Sequence, residues 1–110
     1  RYTHRLFTEH ELESCGEDPA TSASGLAGRF AAKEAVLKVL DLGEVVPSWK
    51  AIEVHRGTTG RPQIILSGDA AAIAHRQGVR DMSVSLSHAG GIATAAVVAR
   101  VSPRRFGGRR

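Results

Sequence analysis

Cysteine occurs once in this 110-residue chain, at Cys15. No internal disulfide can form, and a lone thiol fits a reducing compartment, so a cytoplasmic location is expected. Aromatic residues make up only 5% of the chain, which leaves few platforms for stacking nucleobases. No apolar run approaches the ~20 residues that a membrane-spanning helix needs, so no membrane partner is expected. The opening residues, "RYTHRLFTEH", are polar and charged and predict no secretory leader. No Cys/His cluster has zinc-site spacing. No glycine-rich loop has the Walker or dinucleotide-binding form. No G-x-S-x-G elbow offers a strained nucleophilic serine. Internal repeats are also missing.

What is there suits one globular domain with one core. Hydrophobic residues reach 42%, too many for a disordered chain. The formal net charge is +4, and the terminal stretch "SPRRFGGRR" holds Arg104, Arg105, Arg109 and Arg110. Those four arginines equal the whole excess, so the body, residues 1–102, is balanced. Residues 103–110 read as a basic, solvated tail rather than a nucleic-acid-binding arm.

Local signals give the element order α-α-β-β-α-β-β, an α+β domain. In "FTEHELESC", Thr8 and Glu11 form a capping box at the start of a short helix. "GEDPATSAS" reads as turn and loop, after which Ser22 or Ser24 caps a long helix that runs to about Leu40 or Leu42, with Gly43 as its stop. "SWKAIEVHR" and "RPQIILS" read as strands joined by a hairpin turn at "GTTG". "SGDAAAIAHRQG" is a second helix, capped by Ser67 or Asp69 and closed by Gly78. "MSVSLSH" alternates, with Met82, Val84, Leu86 and His88 on one face and Ser83, Ser85 and Ser87 on the other. "AGG" then turns the chain into the small-residue strand "IATAAVVARV".

The long helix contains "RFAAKEAVLKVL", residues 29 to 40, with charges in its middle. At 100° per residue, Leu26, Phe30, Leu37 and Leu40 fall within about 80° of one another as a core stripe. Ala32, Val36 and Val39 form an adjoining apolar face. Glu34 and Lys38 share a third face with Ala27 and Ala31. That face is either an exposed i,i+4 ion pair or a ligand platform on which small side chains admit a ligand. In the second case Glu34 could bind a metal and Lys38 a phosphate. Lys33 lies inside the core stripe, so its stem snorkels or its ammonium reaches a buried anion. His88 poses a similar choice. It ends an apolar strand face as a structural histidine, or it joins Ser85, Ser87 and the amides of Gly90 and Gly91 in an anion nest.

"GRFAAKEAVLK" and, about fifty residues later, "VSLSHAGGIATAAVV" together resemble the holo-acyl-carrier-protein synthases, the small type of 4′-phosphopantetheinyl transferase. The family's helix motif F/W-[AS]-x-K-E-A-x-x-K is matched by Phe30, Ala31, Lys33, Glu34, Ala35 and Lys38. Its S-[IL]-[ST]-H strand is matched by Ser85, Leu86, Ser87 and His88. An "I-E-V … G-x-P" hairpin is matched by Ile52, Glu53, Val54, Gly60, Arg61 and Pro62, and "FTEHEL" resembles the family's early helix. The resemblance runs over roughly residues 2–101, in the right order.

It implies a phosphopantetheinyl transferase fold, with a long helix packed on a small antiparallel sheet. It implies Mg²⁺-dependent transfer of 4′-phosphopantetheine from coenzyme A to a serine of an acyl carrier protein, releasing adenosine 3′,5′-bisphosphate. Glu34 is implied as a magnesium ligand, and Glu34, Lys38 and His88 as catalytic. Arg29, Lys33, Lys38, Gly60, Arg61, Pro62, Ser85, Ser87 and His88 are implied to hold coenzyme A. A homotrimer with sites between subunits is implied too. The family normally opens with a strand "G-[IV]-D-[ILV]-[VE]" whose Asp is the second magnesium ligand, and the sequence starts at Arg1, apparently past that strand. Two rival readings stand beside this one: a non-catalytic relative without that Asp, and a small basic nucleic-acid-binding module. The balanced body argues against the second.

Overall fold

The computed structural model describes residues 2–57 and 59–102. The basic tail, residues 103–110, lies outside the described residues. A short helix α1 (Tyr2–Leu6), which the sequence reading did not anticipate, precedes α2 (Glu9–Ser14). At α2 the capping box forms as expected. The Glu11 amide donates to Thr8 Oγ1 at 3.1 Å, and the Thr8 amide donates to Glu11 Oε1 at 2.9 Å.

Helix α3 (Pro19–Val39) starts a full turn earlier than Ser22 or Ser24. Asp18 is its N-cap, accepting from the Thr21 amide at 3.0 Å, and Pro19 fits the first helical position because its fixed φ is already helical. Most of the stretch expected as loop is therefore helix. At the other end the chain leaves the helix at Leu40, which turns extended. Gly43 lies in the following loop and does not stop the helix.

The first expected strand begins with a single 3₁₀ turn at Trp49–Ala51, capped by Ser48, and only then becomes β1 (Ile52–Arg56). β1 pairs antiparallel with β2 (Pro62–Leu66), with Ile52 opposite Leu66 and Arg56 opposite Pro62, as the hairpin reading required. Helix α4 (Gly68–Arg76) follows. Ser67 occupies its N-cap position without a side-chain bond, and Asp69 instead accepts from the Ser48 amide at 3.4 Å.

β3 (Val79–Ala89) and β4 (Ile92–Val101) form a long hairpin with Val84 opposite Val97 and His88 opposite Ala93. Its two-residue turn is Gly90–Gly91, at φ 57° and 77°. A turn with both central residues at positive φ matches the twist of the flanking strands, and glycine adopts it without strain. The two hairpins form separate two-stranded sheets, with β2 lying beside β3.

The α+β expectation therefore holds, and the long helix covers the sheets. The core gathers Val36 from α3 and Leu40 just past its end, Ala51 from the 3₁₀ turn, Ile52 from β1, and Ala70, Ile73 and Ala74 from α4. The buried side of α3 is not the stripe read from the sequence. Arg29, Ala32, Lys33, Val36 and Leu40 are buried, whereas Leu26, Phe30 and Leu37 are only half-buried and Val39 is exposed. The helix has rolled toward Val36, and Phe30 packs beside Trp49, with ring centroids 5.1 Å apart. The outer face of the β3–β4 hairpin faces away from α3 and leaves Ile92, Val98 and Val101 exposed at 65%, 69% and 52%.

Candidate functional site

The roll of α3 sets the environment of every charged residue on it. Lys33 is fully buried, and its ammonium reaches a buried anion, which is Glu11. Nζ donates to Glu11 Oε1 at 2.9 Å, to the Trp49 carbonyl at 3.0 Å and to the Ile52 carbonyl. The three N–H donors of an ammonium are thereby used inside the protein. Burial pulls the Lys33 pKa below its ordinary value, against the opposing pull of the Glu11 carboxylate. Both oxygens of Glu11 are engaged as well, since the second accepts the Val54 amide at 2.8 Å. The expectation that Lys33 holds coenzyme A is corrected here, because it has no donor left to offer and no route to solvent.

Arg29 lies one turn earlier on the same face and is also buried. Its Nη1 donates to the Gly25 carbonyl at 3.3 Å, and its Nε has no hydrogen-bond partner among the described residues. Cys15 is nearby, its thiol pKa raised by burial, with the Arg29 charge partly opposing that shift. A buried guanidinium with an unused N–H is what an added anion would satisfy.

The third face of α3 differs. Glu34 and Lys38 are exposed, and no ion pair joins them among the described residues. The surface ion-pair reading is thus not realised, and both groups stand free toward solvent. Among the described residues no group of three or more His, Cys, Asp or Glu side chains could hold a metal. A single open carboxylate still fits Mg²⁺, which is commonly held through one or two carboxylates while substrate phosphates and water complete its shell.

At its N-terminal half α3 forms one wall of a cleft of about 530 Å³ with the β3–β4 turn. Ala23, Ser24 and Ala27 supply small side chains from the helix, and His88, Gly90 and Gly91 face them. His88 Nε2 lies 3.0 Å from the Ser24 carbonyl oxygen. A carbonyl only accepts, so Nε2 carries the proton and Nδ1 is left for a ligand. Ser85 and Ser87 do not join this cleft. They belong to the exposed set of β3 residues, opposite the half-buried Met82, Val84 and Leu86 that His88 follows at a spacing of two. The nest with Ser85 and Ser87 is therefore not formed within one chain.

Gly60, Arg61 and Pro62 lie elsewhere. Gly60 closes the first hairpin, its carbonyl accepting from Arg56 Nη1 at 2.7 Å. Arg61 and Pro62 line a second groove of about 600 Å³ with Met82, Ser83 and Val84. The two clefts share no lining residue. The sequence reading also missed Glu11 as the partner of Lys33, because a capping-box glutamate has a sufficient local explanation without a distant lysine.

A family model described as the 4′-phosphopantetheinyl transferase superfamily matches residues 1–97. A holo-[acyl-carrier-protein] synthase of Moorella thermoacetica is 42% identical over 102 residues, covering 93% of this chain and 79% of that protein. The synthase of Salinispora arenicola is 46% identical over 95 residues, covering 86% and 76%. Among solved structures, the holo-[acyl-carrier-protein] synthase of Helicobacter pylori in complex with coenzyme A superposes with a TM-score of 0.72 at 27% identity, covering 90% of this chain and 81% of that one.

Proposed function

This chain belongs to the 4′-phosphopantetheinyl transferase superfamily, and we propose that it acts as a holo-acyl-carrier-protein synthase, moving 4′-phosphopantetheine from coenzyme A to a carrier-protein serine. The observation that carries the reading beyond family membership is the cleft between α3 and the β3–β4 turn. It is walled by small residues, and a histidine with one free ring nitrogen stands on its edge. Glu34 lies seven residues along α3 from Ala27, about 10 Å at 1.5 Å per residue, and Lys38 follows one turn later. An extended ligand entering the cleft can therefore run along the same helix past both charges.

In this reading His88 holds one end of coenzyme A through Nδ1, and Lys38 meets the phosphates as a point charge. Arg29, with its unused Nε, is a second anion-holding group. Mg²⁺ held by Glu34 would neutralise the pyrophosphate and polarise the attacked phosphorus. The serine oxygen of the carrier forms the new P–O bond as the bond to the adenosine-bearing phosphate breaks. The leaving group is adenosine 3′,5′-bisphosphate. Glu34, directly or through a water, takes the serine proton. Little else is asked of the protein, since phosphoryl transfer is accelerated chiefly by positioning and charge.

The separation of the Arg61–Pro62 groove from the His88 cleft supports a site completed between copies, in a homotrimer. Gly60, Arg61 and Pro62 of one copy would then meet coenzyme A held by His88 of the next. The exposed Ile92, Val98 and Val101 give the β3–β4 face an apolar surface for such packing, and Ser85 and Ser87 stand on that face. Residues 1–102 form the catalytic domain in this account. No helix among the described residues is long and apolar enough to cross a membrane. The lone cysteine fits a reducing compartment, and a cytoplasmic reaction is part of this proposal.

Separation of nucleotides after incubation with coenzyme A, Mg²⁺ and an apo-carrier protein tests the proposal. Adenosine 3′,5′-bisphosphate should form only when all three are present. Formation without the carrier would point to a coenzyme A hydrolase, and no formation at all would refute transfer.

A further inference from the structure

We propose that Gly28 is the positioning residue for His88. It holds the imidazole against α3 so that Nε2–H is committed to the helix and Nδ1 alone is presented to the ligand. Gly28 is buried in the interior of α3, where glycine is disfavoured relative to alanine. Its backbone conformation is helical, so no turn geometry accounts for it. The surroundings do. A Cβ at this position would lie 3.0 Å from His88 Nε2 and 3.1 Å from His88 Cε1, with Leu86 Cδ1 at 3.9 Å. The ring therefore occupies the space that any other residue would fill.

The consequence is chemical. With no side chain at Gly28, Nε2 comes within 3.0 Å of the carbonyl of Ser24, one turn earlier on the same row of the helix. That carbonyl can only accept, so the neutral ring is fixed as the Nε2–H tautomer. Nδ1 makes no hydrogen bond to any described residue. It is an acceptor when the ring is neutral and a donor when the ring is protonated, while the Nε2 anchor is unchanged in both states. A side chain at position 28 would make the ring give way by a few tenths of an ångström, which lengthens and weakens the Nε2 anchor and lets the two nitrogens exchange roles.

The importance of this for binding rests on the reading that His88 holds coenzyme A, and the experiment separates the two. Nitrogen-15 spectra of the histidine side chains report the tautomer without any ligand. Wild type should show His88 as a single Nε2–H tautomer. Gly28→Ala, which favours helix formation and can be checked for fold by circular dichroism, should move His88 toward the mixed pattern of a free imidazole. Its dissociation constant for coenzyme A should rise about tenfold, the effect of one lost hydrogen bond. Gly28→Ala combined with His88→Ala should bind no worse than His88→Ala alone, because both act on the same contact. A wild-type Nδ1–H tautomer overturns the proposal, and that spectrum decides the matter even if Gly28→Ala does not fold. So does a Gly28→Ala spectrum identical to wild type. If the spectrum shifts while His88→Ala binds coenzyme A like wild type, the positioning contact is supported and the ligand role of His88 is what fails.

Discussion

Lys33→Met tests whether this lysine is a structural charge or a ligand-binding one. Methionine keeps much of the apolar stem and removes the ammonium. Three acceptors then lose their donor: Glu11 Oε1, the Trp49 carbonyl and the Ile52 carbonyl. The heaviest cost falls on Glu11, which is fully buried and would be left without the cation beside it. Breaking a buried ion pair by removing one partner costs ~3–5 kcal/mol. That is a large share of the ~5–15 kcal/mol by which domains are usually stable. At ~4 °C per kcal/mol for a domain of this size, the melting temperature should fall by ~12–20 °C. Adding Glu11→Leu should recover only part of the loss, because it removes the unpaired carboxylate but takes the acceptor from the Val54 and Thr8 amides. Thermal unfolding followed by circular dichroism, without ligand, reads all three proteins. A Lys33→Met variant that melts within about 3 °C of wild type would refute the buried-pair account. A variant that keeps its stability but loses coenzyme A binding would return Lys33 to the ligand.

The other predictions concern the open face of α3 and the acid limb. Glu34→Gln should abolish transfer while leaving the melting temperature nearly unchanged, since the carboxylate is exposed and unpaired; normal activity at limiting Mg²⁺ would exclude it as the metal ligand. Lys38→Ala should weaken coenzyme A binding, by calorimetry, far more than it lowers stability, and wild-type affinity would return Lys38 to a solvated surface role. Asp18→Ala should cost ~1 kcal/mol of stability through the lost N-cap, and an unchanged chemical-denaturation midpoint would contradict the observed start of α3. Burial pushes the Glu53 pKa up, but hydrogen bonds from Thr8 and His55 and the charges of His55 and His10 outweigh it, so its folded value lies below the ordinary carboxylate range. Its stabilisation is therefore complete above that range and is lost as pH falls through the lower folded value. Glu53→Gln should flatten that part of the acid unfolding curve.

Local signals were legible in the sequence wherever the cause was local. Thr8 and Glu11 announced their capping box, and the alternation of Met82, Val84 and Leu86 with three serines announced β3. That same alternation already separated Ser85 and Ser87 from His88, although the nest reading had grouped the three together. The start of α3 was misplaced because Ser22 and Ser24 are good caps in isolation, and Asp18–Pro19 is the better one only once both are compared. The helix roll was not legible, since periodicity ranks apolar residues and cannot weigh a lysine whose partner lies in another helix. The Lys33–Glu11 pair spans 22 positions, and the His88–Ser24 contact spans 64. Such contacts arise from tertiary packing, and no window along the chain contains them. The residue types of the candidate site were legible through the motifs, but the placing of His88 at one cleft and of Arg61 and Pro62 at another was not.

The most direct test of the central claim is the intact mass of an apo-acyl carrier protein after incubation with this protein, coenzyme A and Mg²⁺. The account predicts a gain of one phosphopantetheine per carrier, lost when the acceptor serine of the carrier is replaced by alanine and absent with Glu34→Gln. A carrier mass that stays unchanged across several carrier proteins, while the wild-type protein is folded and binds coenzyme A, would contradict it.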